Sequence, residues 1–231
     1  MSWLTLPRRP EPEVMEDAEE VIAYASAAAQ AYLDSVDNTL VDQVLSLGSP
    51  SGWLLDVGTG PGGIPLKIAR RCPGVQVVGV DRSASMIQTA RNVAVRQGLA
   101  RRACFLIADA TRLSFPDKCF DLVLSNSLLH HLTAPLKVFE EMARVAKPEG
   151  SILLRDLRRP SRLAFPLHVR CYGRFYSGLM KKLYVNSVRA AYTCRELTDL
   201  LSRSALANAR IFRHGRTHLG FIRNGRSPQP L

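Results

Sequence analysis

The chain of 231 residues has no long apolar run. Its longer stretches, Val75 to Val80 and Ser151 to Leu154, are far below the roughly 20 residues needed to cross a bilayer, and each is followed by charge, so no transmembrane helix is expected. The start, MSWLTLPRRPEPEVMEDAEE, places proline and acid where a secretory peptide needs a basic start followed by an apolar segment, and a cytoplasmic location is the expectation. The 5 cysteines are odd in number, widely spaced and without a C-x-x-C pair. That argues against a disulfide framework and against a zinc site, and reads the thiols as buried packing. No internal repeat or long low-complexity tract is visible, and no N/D-P-P-Y/F/W motif is present.

What the chain has in excess is positive charge. The net is +11, with 2 basic and 9 acidic residues among the first 50, leaving 29 basic against 11 acidic in the remainder. An acidic arm therefore precedes a basic body. Such a body attracts nucleic acid, anionic membrane or an acidic small substrate without choosing among them.

At 46% hydrophobic and this length, one α/β domain is expected. Residues 1–50 read as an N-terminal helical arm or lid, alanine-rich from Val14 to Leu47 and closed by Gly48-Ser49-Pro50. From Trp53, short apolar runs alternate with helical stretches: WLLDV, Ile64 to Arg71, VQVVGV, Ser83 to Gln97, ACFLIA, FDLVLS, Leu136 to Val145, a turn at Lys147 to Gly150, and SILLRD. This βαβ order predicts parallel strands joined by right-handed crossovers in a doubly wound sheet. Residues 157–192 break the rhythm with eight cations, several aromatics and no acid, and read as a helical insert forming a cap over an acceptor. Thr193 and Glu196 make a capping box, and two short alternating runs around His214-Gly215 predict a hairpin.

The informative stretch is Leu54-Leu55-Asp56-Val57-Gly58-Thr59-Gly60-Pro61-Gly62-Gly63, between a strand and a helix. Alternate glycines let the backbone turn sharply and lie against a ligand with no Cβ in the way. The D-x-G-x-G-x-G spacing differs from the G-x-G-x-x-G of dinucleotide folds. Asp56 suits a cationic ammonium better than a pyrophosphate; its other reading is a local turn cap. Asp81 ends the next strand about 20 residues on, where a carboxylate accepts both hydroxyls of a ribose, or caps the following helix. Asp109 ends the third strand, where an adenine amino group would give it a donor and Ala110 N–H could meet a ring nitrogen.

LDVGTGPGG, VVGVDRSASM, ADATRLSFPDKCFDLVLSNSLLHHL and VAKPEGSILLRD follow in order and spacing the motifs of class I S-adenosylmethionine-dependent methyltransferases. The chain resembles that family's small-molecule branch, which includes quinone-biosynthesis C-methyltransferases, strongly over about residues 53 to 156 and only by topology beyond. The resemblance implies a Rossmann-like, mostly parallel seven-stranded sheet with a C-terminal antiparallel hairpin, residues 51–231 forming the domain. It implies S-adenosyl-L-methionine as cofactor, with Gly58, Gly60 and Gly62 along the methionine part and Thr59 and Asp56 among the cofactor-binding residues. Asp81 then serves the ribose, Asp109 and Ala110 the adenine, with Met86 on its face and Arg82 as a further cofactor-binding residue; Met86 as core filler is the other reading. Ser125 and Asn126, ending strand four, are site residues by position.

Methyl transfer is an in-line displacement that needs alignment and exclusion of water, with a base optional. His130 and His131, at the start of the helix after strand four, are the candidate bases, and only one of two adjacent helical residues is expected to face the acceptor. Asp156 ends strand five as a base or acceptor-binding group, or else pairs with Arg155, Arg158 or Arg159. Tyr24 and Tyr32 share a helix face as a lid, or simply pack. The expectation is a methyltransferase for a small anionic or amphipathic acceptor. RNA is the alternative acceptor, and a non-catalytic cofactor-binding partner subunit the alternative class.

Overall fold

The structure, a computed structural model, describes residues 3–11, 27–48 and 50–225. Strand β1 (Gly52–Val57), helix α2 (Gly63–Arg71), β2 (Val75–Asp81), α3 (Ala84–Arg96), β3 (Ala103–Ile107), β4 (Phe120–Asn126), α4 (Pro135–Val145) and β5 (Ala146–Leu157) follow helix α1 (Ala27–Ser46). The insert carries α5 (Phe165–Tyr172) and α6 (Gly178–Ala190), and α7 (Cys194–Leu201) precedes β6 (Arg210–His214) and β7 (His218–Arg223). The seven-stranded sheet has the order β3-β2-β1-β4-β5-β7-β6. Its first five strands are parallel, while β7 runs antiparallel to both β5 and β6.

Both faces of the sheet are covered, which is why the central strands read as unbroken apolar runs. Leu55 and Val57 point into one core with Phe139 of α4 and Phe221 of β7. Leu54, the residue before Leu55, points into the other with Ile68, Ile87 and Phe105, joined by Leu40, Val41 and Val44 of α1. Helix starts follow their caps. Ser83 accepts the Met86 N–H ahead of α3, and Thr193 and Glu196 form the expected reciprocal box ahead of α7.

Three expectations shift. Lys147 to Gly150 is an irregularity inside β5, where the pairing steps from Phe120↔Ala146 to Leu122↔Ser151, because a bulge absorbs the extra residues without leaving the sheet. His130 and His131 lie on a separate 3-10 turn, Leu129–His131, before α4. Of the five cysteines only Cys72 is buried, while Cys104 and Cys171 are exposed.

The insert leaves the sheet at β5 and returns beside it, Arg158 bridging to Tyr192. Tyr176, Met180, Tyr184 and Val188 form its own core, with Leu33 and Leu157 packed on it. The buried Arg159 guanidinium donates to Ala191 O at 2.6 Å and pairs with Glu196. Residues 3–11 lie along the insert as a strap. Arg8 donates to Ala190 O at 2.6 Å and to His130 O at 3.1 Å, with its guanidinium 4.2 Å over the Tyr192 ring. Tyr24 and the Tyr32 side chain lie outside the described residues, and the lid reading with them.

Candidate active site

The strand order reverses between β1 and β4, and two contiguous cavities of about 300 and 330 Å³ open at the carboxyl ends of the strands there. Gly58, Asp81, Arg82, Leu128 and His131 line both. The glycine turn shapes their shared wall. Gly58 and Thr59 donate to Val80 O at 2.8 and 2.9 Å, pinning the turn to β2. Gly58 and Gly60 hold φ of 75° and 51°, which an L side chain rarely adopts. A Cβ on Gly58 would meet the Leu128 side chain at 2.9 Å, whereas one on Gly60 meets nothing within 4 Å and projects into open space.

The first cavity is lined by Thr59, Asp81, Arg82, Met86 and Asn126 among the expected residues, and the second by Asp109 and Ala110. Asp81 bonds twice to backbone: its Oδ2 accepts Gly60 N–H and its Oδ1 accepts Ser83 N–H, each at 2.9 Å. Each oxygen keeps a further lone pair for a ligand hydroxyl. The exposed Asp109 carboxylate accepts both the N–H and the hydroxyl of Thr111, and these bonds hold its pKa below the ordinary value.

Three of the expected cofactor residues stand behind the walls rather than on them, as does Asp156. Asp56 is buried at 2% exposure, and that burial, with Asp81 and Asp37 nearby, pushes its carboxyl up to about 7. Ser125 is fully buried and donates to Val57 O at 2.9 Å. Gly62 abuts Ala90 and Phe105, where a Cβ would lie 3.1 and 3.0 Å away, so its bareness serves helix packing. All three acids do converge on this sheet edge, as β1, β2 and β3 are adjacent.

On the other side of the first cavity, Asp156 grips His130 at two points: Oδ2 accepts the backbone N–H at 3.0 Å and Oδ1 meets Nδ1 at 2.6 Å. Burial alone would push His130 down, but the Asp156 charge and hydrogen bond, with Glu11 beyond, hold its pKa above the ordinary value. Burial alone would raise Asp156, yet His130 and the bonded N–H groups hold it below. The partner of Asp156 is thus His130 and none of the three arginines. Arg155 faces away to Thr39 and Asn126, and Arg158 reaches Arg216 O. Both histidines line the cavity, because the 3-10 turn sets their rings 4.0 Å apart at 38°. Glu11 of the strap lies 4.0 Å from His130 Nε2 and 3.8 Å from His131 Nδ1.

Beyond the dyad the cavity continues between Leu157, Tyr176, Met180, Tyr184 and His218. Tyr184 Oη and His168 Nε2 share a 3.0 Å hydrogen bond behind this wall. His218 is neutral, since burial and then Arg155 depress its pKa to about 3. None of the insert's eight cations lines either cavity; it turns its aromatic face inward. Asp37 of α1 also lines the first cavity, its carboxyl pushed up to about 6 by burial. Glu11, Asp37 and His218 were invisible as site residues, since nothing local in the sequence says which face of the arm or hairpin turns to the sheet edge.

The Methyltransferase domain model matches residues 55–154. Over 148 residues the chain is 33% identical to the demethylmenaquinone methyltransferase of Thermus thermophilus, covering 58% of this chain and 66% of that enzyme. Over 171 residues it is 30% identical to the ubiquinone/menaquinone biosynthesis C-methyltransferase UbiE of Desulfotalea psychrophila, covering 74% and 68%. The solved PH0226 protein of Pyrococcus horikoshii shares the fold, with a TM-score of 0.69 at 21% identity over 92% of this chain and all of that one. With the glycine turn at the β1–β4 switch point and an acid ending β2, these define a class I Rossmann-like methyltransferase. The chain belongs to the S-adenosylmethionine-dependent methyltransferase family, whose cofactor is S-adenosyl-L-methionine.

Proposed function

We propose that the protein transfers a methyl group from S-adenosyl-L-methionine to an oxygen or carbon of a small amphipathic acceptor with a planar apolar body. The cofactor residues fit that group. The open space over Gly60 admits a ligand against the backbone, Asp81 keeps acceptor capacity for ribose hydroxyls, and Met86 and Ala110 offer apolar surface to a base. Asp56 and Asp37 place acidic charge near the methionine end, suited to a ligand carrying ammonium and sulfonium. When bound, the cofactor supplies a methyl already activated on sulfur.

The observation that carries the proposal is His130 on the cavity wall, held from behind by the buried Asp156. Asp156 fixes the tautomer with Nδ1–H toward itself, leaving Nε2 to take a proton from an acceptor hydroxyl or enol. An acceptor so deprotonated is anionic only at the reacting atom, while Tyr176, Met180 and Tyr184 cover its apolar body and exclude water. The quinone-related names of two relatives agree with such an acceptor.

Calorimetry with S-adenosylmethionine tests the cofactor half, with Asp81→Ala expected to abolish the heat. Incubation with labelled cofactor and a panel of phenols, quinols and RNA tests the acceptor half, and methylation of RNA alone overturns it.

A further inference from the structure

The insert has two faces. Its inner face closes the cavity with Tyr176, Met180 and Tyr184. Its outer face leaves Leu163 and Leu167 at 67% and 64% exposure. Leu163, Leu167, Arg170 and Arg174 fall at i, i+4, i+7 and i+11 through α5 and the turns flanking it, one stripe of helical spacing, and all four are exposed. The strap brings a further apolar group there: Arg162 N–H donates to Leu4 O at 2.9 Å, and Trp3, one residue away, is 72% exposed.

Apolar side chains at this exposure are costly in water when they cluster, and clusters rimmed by polar groups mark contact surfaces. Among the described residues of the insert the rim is of one sign. Arg162, Arg170, Arg174, Lys181 and Lys182 are exposed, and the sequence holds no acid between Asp156 and Glu196 to offset them. Leucine and tryptophan amid arginine and lysine is the combination that settles at the headgroup boundary of an anionic bilayer, where the apolar groups insert and the cations meet phosphates.

We infer that this outer face docks on an anionic lipid surface, so that an amphipathic acceptor passes from the bilayer into the cavity behind the insert. The delivery role rests on the acceptor proposed above, while the docking stands on the patch alone. A nucleic-acid surface would need the same cations but gives the exposed Leu163 and Leu167 no purpose, since single-strand binders stack bases on aromatic rings rather than on leucines.

Sedimentation of the full chain with vesicles tests it, comparing phosphatidylcholine alone with phosphatidylcholine mixed with phosphatidylglycerol. Partitioning at least about tenfold stronger onto the anionic vesicles is expected, weakening with salt. Leu163→Asp/Leu167→Asp and, separately, Arg170→Glu/Arg174→Glu should each reduce it about tenfold, with the heat of cofactor binding intact as the check on folding. Equal or no partitioning on the two vesicle types overturns the inference. So does polyuridylate binding that depends on the arginines alone and displaces the protein from vesicles. Vesicle docking with no methylation of any amphipathic acceptor would instead overturn the acceptor reading and leave the docking in place.

Discussion

Asp156 holds His130 through both carboxylate oxygens, at 3.0 Å to the backbone N–H and 2.6 Å to Nδ1. A single carboxylate thus fixes where the 3-10 turn sits and which way the imidazole points. The Asp156 charge and hydrogen bond hold the His130 pKa above its ordinary value against burial, and His130 and the bonded N–H groups hold Asp156 below its own.

Only the deprotonated His130 can accept a proton, so kcat/KM for a hydroxyl acceptor should rise with pH through an inflection above the ordinary histidine value of about 6.5. Asp156→Asn removes the charge that raises His130. The inflection then moves to lower pH, and the plateau falls by about 10²–10⁴-fold. A pH–rate profile of both proteins checks this, and an unmoved inflection in the variant excludes the dyad as the base.

The glycine turn and the acids at the ends of β1, β2 and β3, proposed for the cofactor, were legible because they appear as short ordered motifs. The parallel βαβ sheet and the hairpin followed from strand periodicity and connection rules. Beyond His130, His131 and Asp156 the rest of the first cavity was not legible, because its wall is assembled from α1, the insert and the start of β7, which meet only in the fold. Charge misled there, for the insert's cations were expected to wall the acceptor. An amphipathic helix packing aromatics inward must send its arginines outward, and that orientation is a tertiary choice.

Gly58 and Gly60 should separate folding from binding. Gly58→Ala sets a Cβ 2.9 Å from Leu128 at φ 75° and should lower both melting temperature and cofactor affinity. Gly60→Ala meets no protein atom within 4 Å, so its melting temperature should fall by the smaller amount that positive φ costs, about 1–2 kcal/mol. Cofactor affinity should fall at least about tenfold, because the methyl points into the ligand's space. Scanning calorimetry and titration of the two variants decide it.

His218 predicts an acid limb of instability. Its pKa is about 6.5 in the unfolded chain and about 3 folded, so its contribution is present above pH 6.5 and is lost as pH falls toward 3. The loss is on the order of 4 kcal/mol, as the ring must ionise inside the protein or unfold to do so. His218→Gln should flatten the limb between pH 6 and 4 in urea titrations, whatever it does at pH 8.

Asp56 carries the opposite sign and links stability to function. Folded, it keeps its proton up to about pH 7, against 3.8 unfolded. Its stabilising share is therefore complete below pH 3.8 and is lost as pH rises through 7, amounting to about 4 kcal/mol by pH 8. Asp56→Asn keeps the shape without the buried charge, so the cofactor-free variant should be more stable at pH 8 by about 2–4 kcal/mol and unchanged near pH 4. Cofactor binding should weaken, because a cation in the adjoining cavity favours the ionised acid. For the same reason the wild-type protein should release protons on binding near pH 6.5, seen as a dependence of the calorimetric heat on the buffer's ionisation enthalpy. If the variant binds with unchanged affinity and unchanged proton release, Asp56 contributes only to the turn.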